Sequence, residues 1–156
     1  MDSVDRAILE ALTHNARISN AALAKHVGLT PGPCLRRVQK LEADGVILGY
    51  TAQISPEAMG RSFEVGVSIE LNQLDHNSVP EFEQTVEAFD EVRELYRLFG
   101  TPDYFARVAV ADLTAYERFL TTRLLTIPGV TVTHSAFPMK VIKSPRAGVD
   151  TDAIDS

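Results

Sequence analysis

Arg36, Arg37 and Lys40 stand close together in the stretch "PGPCLRRVQKLEAD", and helical spacing gathers them on one face, away from Cys34, Val38 and Leu41. Guanidinium and ammonium groups in such a ridge suit two kinds of chemistry: neutralising phosphates and bonding guanine edges in the major groove of a duplex. The same ridge is also what the solvated side of an ordinary amphipathic helix looks like, so its context has to decide. A second candidate group is "FGTPDY", Phe99 to Tyr104. There Gly100 permits close backbone approach, Asp103 offers a carboxylate to an ammonium group, and neighbouring main-chain amides can hold a carboxylate. A small amino acid needs both contacts. Gly, Pro and Asp are also standard turn residues, and the residues alone leave both readings open.

The elements around the cationic ridge favour the nucleic-acid reading. "SVDRAILEAL" puts Val4, Ile8, Ala11 and Leu12 on one helical stripe, with Asp2 or Ser3 as N-cap. Ser19 can cap "NAALAKHV", and Gly28 supplies the left-handed residue that ends it. Thr30 is a capping type and Pro31 a suitable first residue for the third helix. Two helices joined by a short glycine turn make a helix-turn-helix, whose second helix enters the major groove. Ser19, Thr30 and Pro31, at the helix starts, therefore join Arg36, Arg37 and Lys40 as DNA-facing candidates. Lys25 and His26 are either phosphate contacts or plain surface, and the register of Cys34 with Val38 and Leu41 points it inward as a small core residue.

From Gly45 the period becomes alternating. "GVILGYTAQI" reads as a linking strand, "SPEAMGRS" as linker, and "FEVGVSIEL" as a strand with Phe63, Val65, Val67, Ile69 and Leu71 on one face. Ser78 and Glu81 have capping-box spacing ahead of a helix that buries Val79, Phe82, Val86 and Phe89. "VRELYRLF" and "YFARVAVA" follow as hairpin strands. Asp112 caps a helix with Leu113, Tyr116, Leu120 and Leu124 inward, and "VTVTHSAFPMKVI" is the last strand. The order strand, helix, strand, strand, helix, strand is that of a ferredoxin-like sandwich. The expected fold is thus α+β: a helix-turn-helix domain over 1–50, a linking strand and linker over 51–62, a ferredoxin-like βαββαβ domain over 63–142, and a flexible acidic tail over 143–156.

On the sheet face opposite the helices this reading places Glu64, Glu70, Arg93, Arg97, Arg107, Thr131, Thr133 and Ser135, with Leu95 or Phe99. Such a mixture suits packing on a second copy, with opposite charges paired across strands. Charge supports two modules with different partners. Up to Gly60 basic and acidic residues balance, so the whole net charge of −6 falls in the remainder. The single cysteine excludes an intramolecular disulfide and a cysteine-rich zinc site, and no nucleophile motif, phosphate-binding glycine loop or metal-ligand spacing is present. Neither an enzyme nor a cofactor is expected. No signal peptide or apolar span is evident, so a cytoplasmic protein without membrane contact is expected.

At these residues the sequence resembles the Lrp/AsnC family of bacterial and archaeal transcriptional regulators, in the style of its leucine-responsive branch. The likeness runs from "DRAILEAL" through "GLTPGPCLRRVQKLEADGVILGYTA" and "FGTPDYFARVAV" to "IPGVTVTHSAF". It implies a DNA-binding N-terminal domain and a C-terminal domain that dimerises sheet to sheet, with further assembly into octamers or hexadecamers. It also implies an amino-acid effector held between subunits beside Gly100, Thr101, Pro102, Asp103 and Tyr104, meeting Thr131, Thr133 and Ser135. Pro102 departs from the family's usual loop, because it has no amide to donate.

Overall fold

The computed structural model describes residues 1–72 and 75–142, and the expected acidic tail lies outside the described residues. These residues form two compact units, 1–53 and 54–142.

The first unit holds three helices, α1 (Ser3–His14), α2 (Asn20–His26) and α3 (Pro31–Ala43). Asp2 caps α1 in a reciprocal box with Asp5, and Ser19 caps α2 through the Ala22 amide. Gly28 takes φ +69°, and the Leu29 amide turns back to the Ala24 carbonyl at 2.8 Å, closing the turn between α2 and α3. Ile8, Leu23, Ala24, Cys34 and Leu41 make the core, flanked by Val4, Leu12, Val27 and Val38. Burial pushes the Cys34 thiol pKa up, which suits an inert packing residue.

The alternating segment after α3 does not form a strand. The Val46 and Ile47 amides both return to the Leu41 carbonyl, and residues 48–54 take no regular structure. Alternation alone supplies no hydrogen-bond partner, and no strand among the described residues takes up these amides. Leu48 is consequently 94% exposed.

In the second unit β1 (Phe63–Leu71), α4 (Ser78–Glu87), β2 (Val92–Arg97), β3 (Tyr104–Val110), α5 (Leu113–Thr122), a 3-10 turn (Leu124–Thr126) and β4 (Val130–Ala136) follow in order. The sheet runs β2-β3-β1-β4 with every pairing antiparallel. Its core joins Val65, Val67 and Ile69 of β1 to Phe82 and Val86 of α4 and to Tyr116 and Phe119 of α5.

Three local expectations need correction. Ser78 opens α4 instead of capping it: the Asp75 carboxylate accepts from the Asn77 and Ser78 amides, both at 2.8 Å. Asp112 caps α5 as its position suggests, but Leu113 is 58% exposed while Phe119 is buried. The last strand stops at Ala136, and Phe137 to Ile142 lie outside it.

Strand register corrects the larger picture of the sheet's open face. Phe105 pairs with Ser68, Arg107 with Gly66 and His134 with Ser68, so Glu64, Ser68, Glu70, Tyr96, Phe105, Arg107, Val132 and His134 share that face. Thr133 lies opposite Ile69 and Ser135 opposite Val67, which puts both on the helix side. Arg97 and Leu95, opposite Tyr104 and Ala106, also turn toward the helices. Phe105 packs across Gly66, where an added Cβ would come within 3.1 Å of its ring.

Candidate nucleic-acid interface and effector site

Helix α3 begins at Thr30, whose side chain makes no cap bond, and Pro31 fills the first turn, where a missing amide costs nothing. The start is held from outside: Asn20 of α2 donates its side-chain amide to the Pro31 carbonyl at 2.8 Å. That contact fixes the two helices of the turn against each other. With Cys34 and Leu41 buried, the opposite face presents Gly32, Leu35, Arg36, Gln39 and Lys40 to solvent.

The three cations of the expected ridge occupy three different situations. Arg36 is exposed and makes no ion pair with the described residues. Lys40 pairs with Asp44 one turn later at 2.6 Å, and that bond holds its ammonium pKa above the ordinary value. Arg37 is turned to the side and bonded to Asp2 at 2.8 Å and Asp5 at 2.7 Å. Placing Arg37 on the open ridge therefore needs correction, because helical spacing gives a residue's direction but not a partner more than thirty positions away. Gln39 and Leu35 share the outward face with Arg36 although they are uncharged. Their register with Arg36 was available as a signal.

The capping-box amides lower the pKa of both Asp2 and Asp5, and the Arg37 guanidinium lowers them further. Carboxylates lowered by folding stabilise the fold fully above their usual value of 3.8, and that contribution is lost as pH falls through the depressed values. In an acid titration read by amide exchange along α1, the native chain should keep its protection to lower pH than Arg37→Gln. Coincident titrations would remove the guanidinium from the account.

At the other candidate site the loop from Leu98 to Asp103 is closed by the Leu98 amide bonding the Asp103 carbonyl at 2.7 Å. Gly100 has φ +114°, Thr101 and Pro102 are joined by a cis peptide bond, and Phe99 is fully exposed. Asp103 accepts the Leu71 amide at 2.8 Å, and Thr131 donates to the Glu70 carbonyl at 3.1 Å. Loop and β4 thus meet at the end of β1, where the ladder shifts register between Glu70 and Leu71.

The remaining expected effector residues are elsewhere. Tyr104 has no exposed surface; burial and its bond to Glu83 push its pKa up to about 12. Ser135 bonds the Tyr116 hydroxyl on the helix side, and Thr133 is half-buried beside it in β4. Tyr104 is therefore set into the fold of the single chain and Thr133 is half-buried, whereas Ser135 is exposed on the helix side of β4, and Gly100, Thr101, Pro102, Asp103 and Thr131 gather at the corner.

A separate groove of about 500 Å³ opens between α4 and the α5–β4 connection. Its Thr85, Thr122 and Thr126 hydroxyls bond carbonyls of their own helical segments, and Arg123 is held bidentately by Glu91. Among the described residues no helix is long and apolar enough to cross a membrane, and no cluster of His, Cys, Asp or Glu is placed to hold a metal.

A helix-turn-helix head with an outward cationic helix, followed by a four-stranded α+β unit, defines the class of two-module DNA-binding regulators. The chain belongs to the Lrp/AsnC family: residues 64–147 match the Lrp/AsnC ligand binding domain, and residues 1–47 match a winged helix-turn-helix DNA-binding domain. It is 39% identical to the leucine-responsive regulatory protein of Haemophilus influenzae over 92% of this chain and 86% of that one. The protein of the same name from Escherichia coli K12 is also 39% identical, with 92% and 87% covered. Among solved structures, a transcriptional regulator of Neisseria meningitidis in complex with L-Met superposes with a TM-score of 0.86 at 31% identity, covering 92% of this chain and 93% of that one. An AsnC family regulator of Agrobacterium tumefaciens gives 0.85 at 39% identity, covering 92% and 94%. These relatives are transcriptional regulators, and the chain is a DNA-binding transcriptional regulator with a ligand-binding domain.

Proposed function

We propose that this regulator senses a small amino acid through its C-terminal unit and answers by changing its assembly or its affinity for DNA. Residues 1–50 act as the reading head, 51–62 as the connection and 63–142 as the sensing and self-association module. Ser19, Thr30 and Pro31 set the start of each helix of the head against the phosphate backbone. Arg36, Gln39 and Lys40 face the base edges and flanking phosphates. The observation that carries this reading is the exposed Arg36, without an ion pair among the described residues, on a helix whose other side packs into the core.

The effector site is the corner made by Gly100, Thr101, Pro102, Asp103 and Thr131, completed by a second copy of the chain. Tyr104 supports it from within the fold, and Thr133 and Ser135 continue from Thr131 along β4. An amino-acid ligand is favoured by the L-Met complex of the Neisseria meningitidis regulator and by the mixture of carboxylate, hydroxyl and free backbone at this corner. Dimers form through the open sheet face, where Tyr96, Phe105 and Val132 supply apolar surface around Arg107. That guanidinium lies 3.5 Å from Glu94 and 4.0 Å from Glu64, so the central charge is already compensated within one copy. Octamers are the expected higher assembly.

A thermal-shift screen of the twenty amino acids, followed by mobility-shift assays on the upstream DNA with each hit, tests the whole reading. No stabilising amino acid, together with unchanged DNA binding, would refute it. For the interface, Val132→Asp sets an unpaired carboxylate among the apolar side chains of the packed faces, which should weaken dimerisation about tenfold or more. Light scattering across a concentration series would measure it, and an unchanged dimer would exclude this face.

A further inference from the structure

Asp2, Asp5 and Arg37 form a closed ring of bonds. Asp2 accepts the Asp5 amide with Oδ1 and Arg37 with Oδ2, while Asp5 accepts the Asp2 amide with Oδ2 and Arg37 with Oδ1. Every carboxylate oxygen is used once, at 2.7 to 2.9 Å. The same two side chains therefore cap α1 and grip α3. The Asp5 side chain is only 16% exposed, so the grip sits partly inside the helix junction.

Building on the proposed reading face, we infer that Arg37 is a positioning residue: it tethers α3 to the start of α1 and sets the angle at which Arg36, Gln39 and Lys40 are offered to DNA. Both acceptors that Nη1 of the guanidinium bonds lie within the chain, and its charge is matched by two carboxylates. Arg37 therefore brings no net positive charge to a phosphate. The head reads DNA with Arg36, the cation of α3 that has no ion pair among the described residues, and the tether converts intramolecular ion pairing into orientation of that cation. Orientation matters because bidentate base contacts have narrow geometry, and a helix that rocks about the Gly28 turn loses them.

The experiment is a salt titration of binding to the upstream DNA with the full chain. Each phosphate neutralised contributes about 0.9 to the slope of log K against log salt. Arg37→Gln should weaken binding about five- to tenfold, the lower end of what losing one base contact costs, with the slope unchanged. The double variant Asp2→Asn, Asp5→Asn should weaken binding to a similar degree, also with the slope unchanged. Asparagine caps a helix as well as aspartate does, so α1 keeps its start and only the grip is lost.

A slope lowered by about 0.9 in Arg37→Gln would make Arg37 a phosphate contact and overturn the inference. Tighter binding by the Asn double variant, from a guanidinium freed toward DNA, would overturn it equally. If Arg37→Gln does not fold, the double variant alone decides, because the two roles predict opposite signs. Arg36→Ala in the same assay separates the layers. Unchanged affinity there would sink the reading face itself, whereas a slope change at Arg37 would sink only its positioning role.

Discussion

Arg36→Glu combined with Lys40→Glu should abolish specific binding to the upstream DNA while leaving assembly intact. Neither side chain supports the core: both lie on the outward face of α3, and Lys40 engages Asp44 one turn later. Losing a base-edge contact costs about 1–3 kcal/mol, and turning two cations into anions adds repulsion from phosphates, so affinity should fall by more than about a hundredfold. Arg36→Ala alone should cost about 1–3 kcal/mol and lower the salt slope by about 1 if the guanidinium also meets a phosphate. Reversal at Arg37 is the wrong probe of the same idea, since Arg37→Glu would place three carboxylates at one junction and destroy the ring with Asp2 and Asp5. A mobility-shift series with parallel light scattering checks the prediction. Retained affinity in the double variant would move the reading surface off α3.

What was legible in the sequence follows the range of the interaction that decides it. Asp2, Ser19 and Asp112 cap their helices through bonds three residues long, and Gly28 ends α2 through its own φ, so residue type nearly settles each one. The alternation in β1 was equally plain, because Val65, Val67 and Ile69 on one face of that strand are buried. Segment 45–54 carries a similar alternation without a partner edge among the described residues, and pattern alone does not distinguish the two.

Side assignment failed where register decides it. Thr133, Ser135 and Arg97 are polar, which suggested the open face. Pairing with β1 and β3 instead turns them toward the helices, where Ser135 finds Tyr116 and Arg97 comes within 4.0 Å of Glu83. Shifts between Val92 and Glu94 and between Glu70 and Leu71 change parity along the strands, and neither has a local signature. In the site, the identity of Asp103 was readable. Its bond to Leu71, thirty-two residues earlier, was not.

That bond makes Asp103 the most informative residue of the effector corner, because two substitutions separate its two roles. Asp103→Ala leaves the half-buried Leu71 amide without its acceptor, which costs about 1–2 kcal/mol and should lower Tm by about 4–8 °C per kcal/mol in a unit of this size. It should also release the loop from the end of β1 and remove the response to the amino acid. Asp103→Asn keeps a side-chain oxygen for the Leu71 amide and gives up only the charge assistance of the carboxylate, so Tm should fall by less than in Asp103→Ala. The asparagine has no charge for an ammonium group, and a hydrogen bond to a charged partner is worth about 1.5–3 kcal/mol. Effector affinity should therefore fall by about ten- to a hundredfold in a variant that is still folded and still binds DNA. Calorimetry with the amino acid identified by thermal shift reads the affinity, and a melting curve reads the anchor. Native ligand affinity in Asp103→Asn beside a lowered Tm in Asp103→Ala would leave Asp103 as the anchor of the loop alone and pass the ammonium contact to another group at the corner.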